Sequence, residues 1–518
     1  TRKAAPMSQA EPISAPNRLL SLGLIALAAC LTIVAYLYHT DPGQFVILGR
    51  DTLIFLEGTS RVMQGDLPNH DFSSQLGPAM WVIPNLFLSE AQLWLTVPVL
   101  LITATALVTW LATALLRPEN SAQFLALLVI LAFCAMAINA PSRFGDAPDI
   151  LLWHRIYSNI ANTVLMLLTA WVILRLMSDR APLSWSGATA LGLALFLLFM
   201  LKVTYFLAAL ALFTCALRPL GRDITRTVAV FVTPLLFTTV LFPAVTISYI
   251  SDLAFSASIS QRDPSQILAD LQALAQKYAL PFAALFALGF MALRADPGRA
   301  RVFGLFFIAS GLIKVFVDYF DAGPSKSAPV LGLVIGLTYV VLTRPHWPMA
   351  LLPLIILPTA FAQDAYIKAT ALAQNHALAD ASDTVTYNRF RIDMQPELVR
   401  YTRSAEAAFA HLDETYSEAC LERGYMVADL VNPFGALLAR PGARTENLWI
   451  HDGLTVSRER PAAFDDMTGQ AAVIMVPKVP LWTSATAFVT NVYADDLASQ
   501  TVTFENDGWI LYGDPDCL

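Results

Sequence analysis

The chain alternates long apolar runs with short polar ones as far as Phe361, and then the alternation stops. A helix needs about 20 apolar residues to cross roughly 30 Å of hydrocarbon. Runs of that order begin at Leu19 and near Leu93, Ala122, Tyr157, Trp185, Thr204, Val228, Pro281, Val302, Ala328 and Pro348, so the pattern predicts about eleven transmembrane helices. Leu183 to Leu217 is one apolar stretch interrupted by Lys202, long enough for two short spans that turn around the lysine. Gly77 to Leu88, broken by Pro78 and Pro84, is shorter and is expected at the interface or dipping into it. Leu19 to His39 is too long for a signal-peptide core and lacks a small-residue cleavage site, so it reads as a retained helix.

From Gln363 onward the pattern becomes that of a soluble domain of ordinary size. Pro396 to Arg423 has helical periodicity, whereas Ala471 to Val476 and Trp509 to Tyr512 are short, β-branched or aromatic, and bounded by turn residues. The expected division is a disordered cytoplasmic leader over 1–18, a transmembrane domain over 19–362 with an outer loop over 40–90, and a small extracytoplasmic α/β domain over 363–518. Composition agrees: hydrophobic residues make up 56% of the chain and charged residues 14%, with a mean hydropathy of +0.56, so the membrane is its solvent.

Arginine and lysine occupy alternate loops: Arg2, Lys3 and Arg18; Arg117; Arg175 and Arg180; Arg218, Arg222 and Arg226; Arg294, Arg299 and Arg301; Arg344. The positive-inside rule makes those loops cytoplasmic, which puts the N-terminus inside and both the 40–90 loop and the tail outside. Cys420 and Cys517 lie in that tail, where an oxidising compartment favours a disulfide between them; two unpaired thiols are the alternative.

Several chemistries drop out. The chain has no phosphate-cradling glycine loop before a helix, no paired Cys-x-x-Cys pattern and no Gly-x-Ser-x-Gly elbow, and a net charge of −7 leaves no nucleic-acid footprint. Attention falls on charges beside the membrane. In the outer loop Asp51, Glu57, Asp66, His70 and Asp71 bring carboxylates and an imidazole into one short stretch. Thr52 to Gln64 is apolar enough at Leu53, Ile54, Leu56 and Val62 to form a short interfacial helix, with Asp51 at its N-cap. Asp51 then either merely caps that helix or sits at the rim of a cavity and takes a proton from an acceptor hydroxyl, a role for which burial would raise its pKa.

The succession Gly49-Arg50-Asp51, then Gln64-Gly65-Asp66-Leu67-Pro68-Asn69-His70-Asp71-Phe72, then Gly77-Pro78, directly after a first transmembrane helix, resembles the first outer loop of GT-C-fold glycosyltransferases. These polytopic enzymes move a sugar from a polyprenyl-phosphate or polyprenyl-diphosphate carrier onto an extracytoplasmic glycan, lipid or protein acceptor. The resemblance implies a polytopic all-α membrane domain of GT-C type in a bacterial inner membrane, embedded among membrane lipids and with no nucleic-acid partner. It makes Asp51, by position, the general base of an inverting displacement at the anomeric carbon. Thr52 stands where many members carry a second acidic residue. No cofactor is required on this reading; a divalent metal is allowed but unsupported, an isolated His70-Asp71 pair being too weak a signal.

Lys202 is costly at membrane depth unless it has a task or a way out. It either neutralises the departing carrier phosphate or snorkels to the headgroups. Arg143, Arg155 and Arg262 are further donor-phosphate candidates, and Arg50, His70, Asp71 and His154 are candidates for the substrate's sugar and acceptor. Each of these is otherwise a solvated rim charge. Trp81, Trp153, Tyr157, Tyr319 and Phe320 stack on a sugar, line a lipid groove, or serve as interface-belt aromatics. Two other readings stay open: a transporter or flippase of lipid-linked sugars, although no inverted repeat is visible, and a surface-glycan polymerase or ligase on another membrane fold.

Overall fold

The computed structural model of the chain describes residues 45–46, 50–118, 121–138, 142–144, 147–152, 156–177, 184–215, 222–259, 269, 272, 386–387, 390–391, 396–444 and 446–517. After a two-residue strand β1 (Phe45–Val46), helix α1 (Arg50–Met63) is followed by a loop, the short α2 (Ala79–Asn85) and a 3₁₀ turn at Glu90–Leu95. The apolar helices come next: α3 (Thr96–Leu116), α4 (Ser121–Ile138), then a hairpin of β2 (Ser142–Phe144) and β3 (Ala147–Leu152), α5 (Ile156–Met177), α6 (Trp185–Leu201), α7 (Val203–Cys215), α8 (Arg222–Leu241) and α9 (Pro243–Ile259).

Among the described residues three helices are long and apolar enough to cross a membrane: Thr96–Leu116, Ile156–Leu176 and Ile224–Leu241. Trp185–Leu201 and Val203–Thr214 are shorter apolar helices, the two halves of the stretch that Lys202 divides. Gly192 lets α6 approach α8 closely, since a Cβ there would sit 2.6 Å from Val230, the small-residue contact by which apolar helices pack when lipid offers no hydrophobic drive. The runs expected at Leu19, Pro281, Val302, Ala328 and Pro348 lie outside the described residues, as does the 362/363 boundary.

Two local expectations change, and a further helix, α9, restarts at a proline. Helix α1 begins at Arg50, so Asp51 lies one residue inside its first turn and not at the N-cap. Helix α9 starts at Pro243, a first helical position where the missing N–H loses no bond and the fixed φ favours a restart, and runs past Asp252 to Ile259. The helix expected over Pro396 to Arg423 is two helices, α10 (Pro396–Thr415) and α11 (Glu418–Glu422), parted at Tyr416 and Ser417.

The tail is α/β. Strands β4 (Thr386–Tyr387) and β5 (Phe390–Arg391) form a small sheet in which β1 pairs parallel with β5. A four-stranded sheet contains β6 (Tyr425–Val427), β7 (Val473–Pro477), β8 (Thr501–Glu505) and β9 (Trp509–Gly513) in the order β6-β7-β9-β8, with β6–β7 parallel and the other pairs antiparallel. Central β7 is buried along its whole length, while β9 alternates between fully and partly buried positions, as a strand with unequal faces does. Four short helices complete it: α12 (Phe434–Leu438), α13 (Phe464–Thr468), α14 (Thr483–Val492) and α15 (Ala494–Ser499). Cys420 and Cys517, 97 residues apart, are joined by a disulfide.

The tail does not stand apart from the membrane helices. One hydrophobic cluster runs from Leu53, Phe55 and Trp81 through Leu165 and Leu198 to Phe434 and Trp509, while a second, around Met426, Ile474 and Phe488, lies within the tail. Helix α1 is the shared wall, buried from Leu53 to Leu56 against both sides.

Candidate functional site

Helix α1 stops at Gly65, whose φ of +102° is open to glycine at little cost and lets the Asp66 N–H bond back to the Arg61 carbonyl at 3.0 Å. The chain then coils tightly. Buried Asn69 donates from Nδ2 to the Ser74 carbonyl at 2.6 Å, and the Leu76 N–H donates to Ser74 Oγ at 3.1 Å. The loop ends on the break between α6 and α7, where the Gly77 N–H donates to the Leu201 carbonyl at 3.1 Å. A Cβ at position 77 would overlap the Met200 carbonyl, so glycine is what permits this approach.

Lys202 is the break itself. Its backbone is extended (φ −161°, ψ 106°), its N–H closes α6 on the Leu198 carbonyl at 2.9 Å, and its carbonyl accepts from the Tyr205 N–H at 3.1 Å. Nζ donates to Ser158 Oγ at 3.3 Å and lies 4.8 Å from the Tyr157 ring centroid and 5.9 Å from that of Tyr205, within cation–π range of both. Tyr157 also receives Phe55 of α1 edge-to-face, at 5.4 Å between centroids. Position 51 is one helical turn before Phe55, on the same face of α1. A single aromatic ring therefore links the face of α1 that carries position 51 to the ammonium of Lys202.

A second polar centre joins α1 to the tail. Arg61 is fully buried, with Nε on Asp66 Oδ2 at 2.9 Å, Nη1 on Glu446 Oε1 at 3.2 Å, and Nη2 on the carbonyls of Asp71 and Ala443, each at 3.0 Å. Its guanidinium also lies 5.0 Å from the centroid of Phe72. Glu57, one turn earlier, points into the start of α12, where Oε2 accepts from the Ala436 N–H at 3.1 Å. Burial pushes Glu57 up to about 8, the pull of Arg61 only partly offsetting it and Glu446 adding to it. Glu446 rises to about 7 by burial against the same arginine. Deeper in the tail Asp429 accepts from the N–H groups of Leu430, Leu481 and Trp482.

Of the residues expected from the sequence, Arg50 and Asp51 are placed in the first turn of α1 and Arg143 in β2, and their side chains lie outside the described residues. His154, Arg155 and Arg262 lie outside the described residues altogether. His70 is exposed and pairs through Nδ1 with Asp71 Oδ1 at 2.9 Å, while Asp71 Oδ2 accepts from the Leu67 N–H at 2.7 Å. Partial burial would raise Asp71, but these two donors hold it below the usual carboxylate range. The pair thus joins the Arg61 web through the Asp71 carbonyl. Among the described residues no group of three or more His, Cys, Asp or Glu has an arrangement suited to a metal ion. Sequence reasoning passed over Arg61, Asp252, Asp429 and Glu446. Only Arg61 carried a local signal: with Glu57 it forms an i, i+4 charge pair in a helix otherwise rich in apolar residues.

No known family's sequence profile matches the chain, and no curated protein matches it. Solved structures similar to the chain include two of one protein. ArnT from Cupriavidus metallidurans in the apo state aligns over 95% of this chain and 98% of its own at 13% identity, with a TM-score of 0.49. The same protein bound to undecaprenyl phosphate aligns over 96% and 98% at 14% identity, with a TM-score of 0.44. At these identities and scores the likeness assigns no residue a role.

Proposed function

We propose that the chain is an integral membrane glycosyltransferase of GT-C type that transfers a sugar from a polyprenyl-phosphate or polyprenyl-diphosphate carrier to an extracytoplasmic glycan, lipid or protein acceptor. Asp51 deprotonates the acceptor hydroxyl, the sugar–phosphate bond breaks with oxocarbenium-like character and inversion, and Lys202 stabilises the leaving phosphate. The supporting observation is the contact of Phe55 with Tyr157 beneath Lys202 Nζ, because a base and a phosphate-binding cation must flank one anomeric carbon.

The test is Asp51→Asn in the full-length chain, assayed with polyprenyl-linked sugar donors of both phosphate types. Transfer should fall by roughly a hundred- to ten-thousandfold, the contribution of a general base, while donor binding is retained. Unchanged turnover would remove Asp51 as base.

A further inference from the structure

Resting on the functional reading above, we infer that Asp252 is a positioning residue, which locks the outer loop in register with the Lys202 break so that the donor phosphate meets a fixed ammonium. Three donors converge on its carboxylate, all from the loop. Ser73 Oγ donates to Oδ1 at 2.9 Å, and Asn69 Nδ2 and the Ser74 N–H donate to Oδ2 at 3.1 and 2.9 Å. A largely buried carboxylate that gathers three donors from one segment holds that segment firmly, since hydrogen bonds to charged groups are the strong ones.

Helix α9 grips the other partner as well. Tyr249, three residues before Asp252 and so on the same face, donates from its hydroxyl to the Phe199 carbonyl at 2.8 Å. Phe199 lies in the last turn of α6, three residues before Lys202, and its ring packs edge-to-face on Tyr249 at 5.7 Å between centroids. Tyr249 thus fixes the break and Asp252 fixes the loop, while the loop meets the break directly through Gly77 and Leu201. The circuit is closed: break, α9, loop, break. Asn69 shows how tightly the loop end is drawn in, because it is buried at a φ of +64°, a conformation that asparagine tolerates better than most side chains. With Asp252 removed, the loop would keep its backbone bond to Leu201 and lose its link to α9.

The experiment uses the full chain in lipid nanodiscs, with Asp252→Ala, Asp252→Asn, Lys202→Ala and the Asp252→Ala/Lys202→Ala double variant. Hydrogen exchange over residues 66–77 and the donor KM and kcat are measured together. Asp252→Ala should speed exchange in the loop and raise the donor KM about tenfold, the scale of a small misplacement in a reactive complex. Asp252→Asn, which keeps an acceptor oxygen for the loop donors, should recover most of both. In the Lys202→Ala background the same alanine should add little to KM, because the contact it positions is already gone. A purely structural role lowers the active fraction, and hence kcat, with KM unmoved; that outcome, or unchanged loop exchange, overturns the inference. Absence of transfer by the parent chain from either carrier type would overturn the functional reading itself, and it is seen before any substitution is made.

Discussion

Two cations among the described residues that are drawn in from water, Arg61 and Lys202, are treated differently. Arg61 is fully buried at the seam between α1 and the tail, with all three guanidinium nitrogens bonded to Asp66, Glu446 and two backbone carbonyls. Lys202 is half-buried at a helix break, beside the Ser158 hydroxyl and the Tyr157 and Tyr205 rings. A planar fork held by carboxylates and carbonyls is a fastening, since guanidinium geometry matches those acceptors. A compact ammonium over aromatic faces, at the end of an apolar helix, is not tied into a planar fork of that kind, and it is the cation to which the proposed function gives the leaving phosphate. The difference teaches that burial of a charge does not by itself mark a functional site; what surrounds the charge does.

The largest effect should come from breaking the fastening. Arg61→Ala strands Asp66 and Glu446 beside the already buried Glu57, and removing one partner from a buried ionic web typically costs about 3–5 kcal/mol. A sharp fall in melting temperature is expected, with protease cleavage appearing along the α1–tail seam. Arg61→Lys should not restore it, because an ammonium cannot serve four acceptors in the plane of a guanidinium. A melting temperature equal to the parent's would show that the two cations are alike after all.

The same contrast separates what the sequence made legible from what it hid. Hydrocarbon demands unbroken apolar runs, so α3, α5 and the pair α6 and α7 stand out locally, and Lys202 stands out because it interrupts one of them. The two tail cysteines could be counted without a structure. The seam could not be seen: Arg61 meets Glu446 across 385 residues and Asp252 meets Asn69 across 183, and no local periodicity encodes such pairings. Asp252 carried no local signal, since its meaning depends on Ser73, Ser74 and Asn69 arriving from a distant part of the sequence. The tail read as a separate domain for a related reason. Its own strands and helices are locally patterned, whereas the burial of Phe434 and Trp509 in the same cluster as Leu53 and Phe55 is a property of docking.

A smaller effect, on donor binding and turnover and not on folding, is expected at the break. Lys202→Ala should raise the donor KM and slow transfer by roughly a hundredfold, the scale for losing one preorganised electrostatic contact to a developing charge, with a melting temperature close to the parent's. Lys202→Arg keeps the charge and should recover part of the rate. Parent-like kinetics in the alanine variant would return Lys202 to the role of a snorkelling residue and leave the contrast with Arg61 without content.

The smallest effect in acid, and the finest probe of the seam, comes from Glu57. Burial raises its pKa from 4.5 to about 8, and Glu446 moves the same way to about 7. The folded chain therefore holds a proton over a pH range in which the unfolded chain has already lost it. This contribution to stability is complete below about 4.5 and is lost as pH rises through about 8. Glu57→Gln mimics the protonated side chain and keeps an oxygen for the Ala436 N–H. Below about pH 4.5 it should change stability by less than about 1 kcal/mol, and above that pH it should gain steadily on the parent, because the unfolded parent ionises there while the folded group stays protonated. The advantage should widen until about pH 8 and then level off, so that its melting temperature falls less steeply than the parent's between about pH 5 and 8. Glu446 and Arg61 face the same pocket and retain a residual slope of their own, so flattening is partial. Lys202→Ala should leave the profile untouched, since the charges acting on Glu57 and Glu446 are those of Arg61, Asp66 and Glu446 itself. A full parental slope in Glu57→Gln would place the proton elsewhere and make Glu57 an ordinary ionised partner of Arg61.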